Sequence, residues 1–427
     1  MSGMHTAEPP TAGGAQIQSQ RAAGGRGGLA ASIARGLVKR ALGGLRSGTI
    51  EISERGRREA FGKPGDLSAS LEVHELSFWS AAAFGGSVGA GESYMRGDWS
   101  CDDLTSLCRM FIRDRHVFSS LDGAWTGLIK PVRRVAHAIS RNTRSGSKRN
   151  ISRHYDLSNE FFSLWLDPTM MYSCALFEEE DGRPVPPSDL ERAQFLRLER
   201  ICKVLKLSPA DHLLEIGTGW GGMAMHAASR FGCRVTTTTI SKEQARMARE
   251  RVAAAGLSGL VTVIEEDYRD LRGSYDALVS LEMIEAVGHQ YQDRYFASCA
   301  GLLRAGAPFL LQSIVIADEH YEEALGFVDF IKKHVFPGSF MPARSPIRAS
   351  ASRAGLREAD TLEIGPHYAT TLAEWRRRFV QHEAQVRAMG FGDEFLRMWT
   401  FYLCYCEAGF AERHLGDVQF LFVKDRT

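Results

Sequence analysis

Residues 211–222 read DHLLEIGTGWGG. The aliphatic pair Leu213 and Leu214 leads to an acid, Glu215, and then to Gly217, Gly219, Gly221 and Gly222, four glycines within six residues. A short apolar run that ends in glycines reads as a buried strand entering a turn, and GGMAMHAASRF after it reads as a helix. Working outward, CRVTTTTI is β-branched and strand-like. SKEQARMARERVAAAG is helical, with Ser241 as N-cap and Gly256 as stop. VTVIEED and YDALVSLEM read as strands, and Tyr291, Tyr295, Phe296, Cys299 and Leu303 mark a helix. PFLLQSIVI is a buried strand and DVQFLFVKD a last one. Strand and helix alternate, which predicts an α/β fold with a mostly parallel, doubly wound sheet.

In open sheets of this kind ligands sit at the carboxyl ends of the strands, where this sequence puts its barest backbone. Two ligands fit such a turn. Gly217, Gly219 and Gly222 match GxGxxG, the dinucleotide fingerprint, but that reading needs an acid at the end of the second strand, and TTTTIS has none. The alternative is the E-x-G-x-G form, Glu215 to Gly219, usual in S-adenosylmethionine methyltransferases. There the acid answers the ligand's ammonium and no pyrophosphate has to be cradled. Asp267, at the end of the third strand, is placed to meet the adenine. These features favour the methyl donor.

The chain has 427 residues, enough for two domains, with 44% hydrophobic and 24% charged residues, ordinary for a soluble globular protein. A net charge of +1 argues against a chain built to neutralise phosphates, and the basic segments lack aromatic interleaving, so no nucleic-acid partner is expected. The eight cysteines are scattered, without paired CxxC sets, which speaks against zinc and suits a reducing compartment. The histidines at 226, 289, 334 and 367 are isolated and read as structural. No apolar run approaches the ~18 residues of a spanning helix, and the N-terminus lacks the core of a signal peptide. A cytoplasmic protein is expected.

Residues 1 to 26 are rich in Gly, Ala, Ser and Gln and read as disordered. In GGLAASIARGLVKRALGGLR, Leu29, Ile33, Leu37 and Leu42 fall near one helical face, with Arg35, Lys39, Arg40 and Arg46 elsewhere. Such a helix either lies on an anionic membrane or packs on its own domain with a solvated basic edge. SGTIEISERG and SASLEVHELSFWSAAAF carry strand-like alternation. GAGESYMRGDWSCDDLTSL reads as a turn and a helix start, with Ser100 as N-cap and Asp103 as capping acid. A basic stretch follows, from Lys130 to Arg153, either a solvated loop or a contact for lipid phosphates.

Six stretches, the glycine turn among them, converge. RHYDLSNEFFSLWLDPTMMYSCALF precedes LEIGTGWGG, which is followed by TTISKEQ, SLEMIEAVGHQYQDRYF, DFIKKHVFPGSFMP and HYATTLAEWRRRF. Together they resemble the cyclopropane-fatty-acyl-phospholipid synthase family, which includes the mycolic acid cyclopropane synthases. GESYMRGDW resembles the N-terminal domain of its phospholipid-acting members. The resemblance implies a class I S-adenosylmethionine-dependent methyltransferase with a Rossmann-like sheet and a small α+β N-terminal domain. The expected division is 1–47 as a disordered and basic amphipathic segment, 48–130 as a lipid-associated α+β domain, 131–150 as a basic linker and 151–427 as the catalytic domain. The implied reaction moves a methyl to the cis double bond of an unsaturated phospholipid acyl chain. The resulting carbocation loses a proton to bound bicarbonate and a cyclopropane closes. Partners would be the acyl chains, the inner membrane face as a peripheral site and, as in many members, a second copy of the chain. A soluble-substrate methyltransferase or a non-catalytic lipid-binding protein are the competing readings.

A carbocation needs a dry cavity with π faces that favour a passing cation. Phe161, Phe162, Trp165, Tyr172 and Phe177 before the glycine loop, and Phe327, Phe330 and Phe336 after the fifth strand, either line that cavity or form ordinary core. By resemblance, Tyr172, Ser173, Gly217, Gly219 and Gly221 contact the donor, and Gln244, helped by Thr239, takes the ribose. Cys174 holds bicarbonate through nearby backbone, Glu285 orients the ion and Tyr368 hydrogen-bonds it; Glu282 is an acid three residues from Glu285. Where the family often shows LLHTI, this chain has LLQSI. Gln312 thus replaces a histidine of the bicarbonate site and cannot carry a proton. A longer-lived cation would allow a hydride shift and a methyl- or methylene-branched product.

Overall fold

The computed structural model describes residues 26–117, 157–180, 183–184 and 189–426. The N-terminal segment before residue 26 and the basic linker expected at 131–150 lie outside the described residues.

The N-terminal unit runs α1 (Arg26–Leu42), β1 (Gly48–Glu54), β2 (Arg57–Gly62), β3 (Leu67–Val73), α2 (Ser77–Met95), β4 (Trp99–Cys101) and α3 (Leu104–Arg113). Its strands order as β2-β1-β3-β4, with β1 and β3 parallel. Alternation in both strands turns Ile50, Ile52, Leu67, Ala69, Leu71 and Val73 inward. Three expectations are corrected here. The strand-like reading of 68–84 holds only to Val73, because the chain from Ser77 is helical. Ser100 is no N-cap: it sits in β4 with its hydroxyl 2.8 Å from His74 Nε2, and Asp103 itself caps α3 by accepting from Ser106 N–H. The buried face of α1 is Ala34, Val38, Ala41 and Leu42, while Ile33 (56% exposed) and Leu37 (36%) point outward. Arg35 and Lys39 turn back on the domain, over the Trp79 ring and onto Glu54 and Glu59. These contacts pack α1 against the N-terminal unit.

The C-terminal unit runs α4 (Asn159–Ser163), β5 (Glu179–Glu180), β6 (Arg183–Pro184), α5 (Leu190–Val204), β7 (His212–Ile216), α6 (Gly222–Phe231), β8 (Arg234–Thr238), α7 (Lys242–Ala254), β9 (Val261–Ile264), β10 (Ala277–Leu281), α8 (Gln292–Leu302) and β11 (Pro308–Ile316). It continues through α9 (Tyr321–Gly326), α10 (Phe330–His334), α11 (Arg344–Arg353), β12 (Leu356–Glu363), α12 (Gly365–Gln381), α13 (Glu383–Ala388), α14 (Asp393–Ala411) and β13 (Leu415–Lys424). Seven strands order as β12-β13-β11-β10-β7-β8-β9. β7 to β11 are mutually parallel where they pair, and β13 is antiparallel to both its neighbours. The strand order reverses beside β7, and the crevice at that switch point is where such sheets bind ligands. The expected N-cap of α7 is observed, with Ser241 Oγ accepting from Gln244 N–H.

The two units share one apolar core, from Ile50 and Trp99 through Trp399 and Leu403 to Phe161 and Trp165. The seam is tight: a Cβ on Gly91 would lie 2.6 Å from the Phe330 ring. Arg397 stacks 4.0 Å over Tyr94 and donates to the Tyr94 and Trp99 carbonyls, while Arg109 and Arg113 both reach Glu412 at 2.6 Å. Among the described residues no helix is long and apolar enough to cross a membrane.

Candidate active site

A cavity of about 280 Å³ opens at the carboxyl ends of β7, β8, β10 and β11. One end is built from the glycine stretch. Gly217 (φ +103°) and Gly221 (φ +85°) hold left-handed backbone that other residues resist, and the peptide N–H groups of Gly217 and Thr218 both tie to Thr238 O. Glu215, next to last in β7, is 2% exposed. Its Oε2 is buried without a partner among the described residues, and burial pushes its carboxyl up to about 8. An acid left in that state is poised for a cationic ligand group. Across the turn, Thr239 Oγ1 donates to Gln244 Oε1 (3.0 Å), and both line the cavity. Asp267 lines it as well, but its carboxylate is clamped by Arg269, through the backbone N–H (3.0 Å), Nε (2.7 Å) and Nη2.

The other end is built around Glu282. Glu282 follows β10 with φ +49°, a conformation that costs a non-glycine residue roughly 1–3 kcal/mol and tends to mark working sites. Three donors hold its carboxylate. Cys174 N–H gives 2.8 Å and Gln312 Nε2 2.7 Å to Oε1, and Tyr368 OH gives 2.6 Å to Oε2. Burial pushes this carboxyl up, while the three hydrogen bonds and the nearby buried Arg197 pull it back. Asp417, on β13, accepts the second Gln312 N–H bond (3.0 Å) and is pushed well above the carboxylate range by burial and by the Glu282 charge. Only one of this buried pair carries the charge; Glu282, with three donors to one, is the better home for it.

Local stitching sets these positions. Ala175 N–H donates to Thr371 Oγ1 (3.1 Å) and Phe177 N–H to His367 Nδ1 (3.2 Å), so the segment bearing Cys174 lies along α12, which carries Tyr368. From α5, Gln194 and Arg197 hold the Ser173 carbonyl (3.0 Å) and hydroxyl (2.6 Å). The cavity wall between the two ends includes Tyr172, Trp220, Phe336, Tyr368, Tyr402 and Phe410.

The mycolic acid cyclopropane synthetase family matches residues 142–420. The chain belongs to this family. Tuberculostearic acid methyltransferase UfaA1 of Mycobacterium tuberculosis is 40% identical over 344 residues, 80% of this chain and 79% of the relative. The cyclopropane-fatty-acyl-phospholipid synthase of Escherichia coli K12 is 35% identical over 360 residues, 84% and 88% of the two chains. The solved mycolic acid cyclopropane synthase CmaA1, complexed with SAH and CTAB, superposes with a TM-score of 0.60 at 30% identity, over 65% of this chain and 98% of that one. The chain is accordingly an S-adenosylmethionine-dependent methyltransferase on a Rossmann-like sheet, and the dinucleotide reading falls away.

Within this methyltransferase the expected site residues divide. Tyr172, Ser173, Glu215, Gly217, Gly219, Thr239, Gln244 and Asp267 line the cavity together; Gly221 turns the chain behind it. Cys174 contributes its peptide N–H; its thiol donates to the Ala175 and Ile364 carbonyls and is pushed well above the thiol range by burial. Glu285 lines the same cavity, beside Glu282. Its Oε1 accepts from Ser313 OH (2.9 Å) and Ile314 N–H (2.7 Å), and it makes none of the contacts with Cys174 or Tyr368. Burial and the Glu282 charge push it up to about 8. The acid gripped by the Cys174–Tyr368 pair is Glu282, because the turn after β10 aims residue 282, not 285, at α12. Of the expected aromatic lining only Tyr172 and Phe336 face the cavity. Phe161, Phe162, Trp165, Phe177 and Phe330 are core, and Phe327 is exposed. Asp417, Gln419 and Arg197 went unnoticed. For Asp417 and Gln419 the signal was a buried strand with polar residues two apart and so on one face; Arg197 lies on α5 and carried none.

Proposed function

We propose that this methyltransferase alkylates the cis double bond of an unsaturated phospholipid acyl chain and that Glu282, in place of bound bicarbonate, takes the proton that leaves. The observation that carries the reading is the occupied donor set. Cys174 N–H, Tyr368 OH and the residue-312 side chain are the groups that resemblance assigns to bicarbonate, and here all three already hold a carboxylate. A second anion does not fit there.

Glu215 and the glycine turn would hold the donor, with Gln244 and Thr239 beside them. S-adenosylmethionine supplies an electrophilic methyl, which the π pair of the alkene takes as the C–S bond breaks. The cation left on the neighbouring carbon faces aromatic walls, each contact worth ~0.5–2 kcal/mol, and little water to quench it. Glu282 then accepts a proton from the added methyl, and the freed C–H pair closes a cyclopropane. A second exit has an observation behind it. Three hydrogen bonds temper Glu282 as a base, so the cation has time for a 1,2-hydride shift; proton loss from the same methyl then leaves a methylene branch. The name of the 40%-identical relative supports that exit. Ile33 and Leu37 on the outer face of α1, with exposed Arg40 about a turn beyond Leu37, suit a peripheral hold on an anionic bilayer.

Vesicles of oleoyl or vaccenoyl phospholipid, incubated with methyl-labelled donor and the full chain, should yield labelled lipid, whose mass and fragmentation assign ring or branch. Absence of label in the lipid overturns the proposal.

A further inference from the structure

Behind Glu282 runs a line of hydrogen bonds that the reaction above leaves unused. Gln312 Oε1 accepts from Gln419 Nε2 (3.0 Å), and Gln419 Oε1 accepts from Arg200 Nη1 (2.7 Å). Gln312 and Gln419 are cross-strand partners of β11 and β13, both buried, and Arg200 reaches them from α5. A glutamine amide fits a site either way round, but a guanidinium offers only N–H. Arg200 therefore turns the Gln419 oxygen toward itself and the Gln419 NH2 toward Gln312. Gln312 must answer with its oxygen, which leaves its NH2 for Glu282 and Asp417. With the line reversed, Gln419 NH2 would meet the guanidinium, donor against donor, and Gln312 would show its oxygen to Glu282. Only a protonated Glu282 makes that contact.

We propose that Arg200 is a positioning residue: through Gln419 and Gln312 it fixes an N–H on Glu282 and so keeps that carboxylate a proton acceptor. The inference rests on the reading of Glu282 as the base. Other groups face Glu282 too: Tyr368 from α12, Cys174, Asp417 from β13, Glu285 from its own turn and Arg197 from α5. Asp360 of β12 is the acid felt by Arg200. None of these can set the direction of the Gln419 amide, which contacts Gln312 and Arg200.

The test is the pH dependence of kcat for methyl transfer to oleoyl phospholipid vesicles, with the full chain and saturating donor. A base that must be ionised gives a limb where rate falls on the acid side. Arg200→Met and Gln419→Met should both move that limb upward by about one pH unit, an approximately tenfold loss of rate below it, with KM for the donor unchanged. Gln419→Met keeps the Arg200 charge and cuts only the line, so a shift there separates relay from simple charge. Arg200→Lys, which keeps a donor, should return most of the shift. If the limb stays at the wild-type position in Gln419→Met, or moves only in Arg200→Met, the relay is overturned. No labelled lipid from the wild type would instead sink the reading of the function, and this proposal with it.

Discussion

At the donor end of the cavity, Glu215, Gly217 and Gly221 come from one continuous strand, turn and helix. At the base end, Cys174, Glu282, Gln312, Tyr368 and Asp417 come from five separate stretches, brought together by the order of strands in the sheet and by α12. The first is a backbone device: left-handed φ angles and one buried acid shape it, and its side chains are few. The second is a side-chain device, in which one carboxylate is surrounded by donors and by a second acid that cannot ionise alongside it. Glu215 keeps one buried oxygen without a partner among the described residues, which suits a cationic ligand; Glu282 is already held by three donors, which suits the base proposed above. The two ends should therefore fail in different ways.

The largest failure belongs to Glu282→Gln. The amide keeps the shape but accepts no proton, and a positioned general base contributes about 10²–10⁴-fold. We expect kcat for labelled lipid to fall by about that factor, with donor affinity by calorimetry changed by less than about 0.5 kcal/mol, as for independent sites. A parallel loss of donor affinity would mean that the two ends are one unit and would break the comparison.

Glu215→Gln should do the converse. Losing a charge-assisted contact to the donor's ammonium costs about 1.5–3 kcal/mol, roughly 10–100-fold in donor affinity. The protonation state sharpens this. In the donor-free protein burial pushes Glu215 up to about 8 from 4.5, so at neutral pH it binds a proton that a cationic ligand expels. Donor binding should release a proton, measurable by calorimetry in buffers of different ionisation heat, and should tighten as pH rises toward 8; Glu215→Gln should abolish both. The same raised value gives the donor-free fold a stabilising contribution that is full below about 4.5 and lost as pH rises through about 8.

The donor end was legible because each of its pieces is built locally. Glu215 near the end of its strand and the glycines after it are neighbours in the chain, the N-cap at Ser241 opens the next helix, and each leaves a mark on composition or spacing. The base end was legible only in part. Cys174, Tyr368 and Gln312 could be placed by resemblance, but the choice between Glu282 and Glu285 turns on a single φ of +49° after β10, which no pattern of residues announces. Arg200 and Gln419 matter through register: β11 and β13 must pair antiparallel with 312 opposite 419 before either has a role. The face of α1 went astray for a similar reason. Periodicity alone favoured its large residues, Ile33 and Leu37, while the packing surface of the domain accepts the small ones, Ala34 and Ala41.

The smallest effect expected is none, and it tests the base end most directly. If Glu282 fills the place of the anion, turnover of the wild type should be the same in bicarbonate-depleted and bicarbonate-replete buffer. Glu282→Gly should behave otherwise. Glycine adopts φ +49° without strain, and removing the side chain frees Cys174 N–H, Tyr368 OH and Gln312 N–H to face the cavity. Those three donors then form an empty anion seat, so the variant should gain a bicarbonate dependence that the wild type lacks. Glu282→Gln, whose amide still occupies the space, should gain none. A wild type that stops without bicarbonate would show that the Glu282 carboxylate holds the site's shape and leaves the proton to another base; the contrast between an acid kept unpaired and an acid kept held would then describe geometry alone.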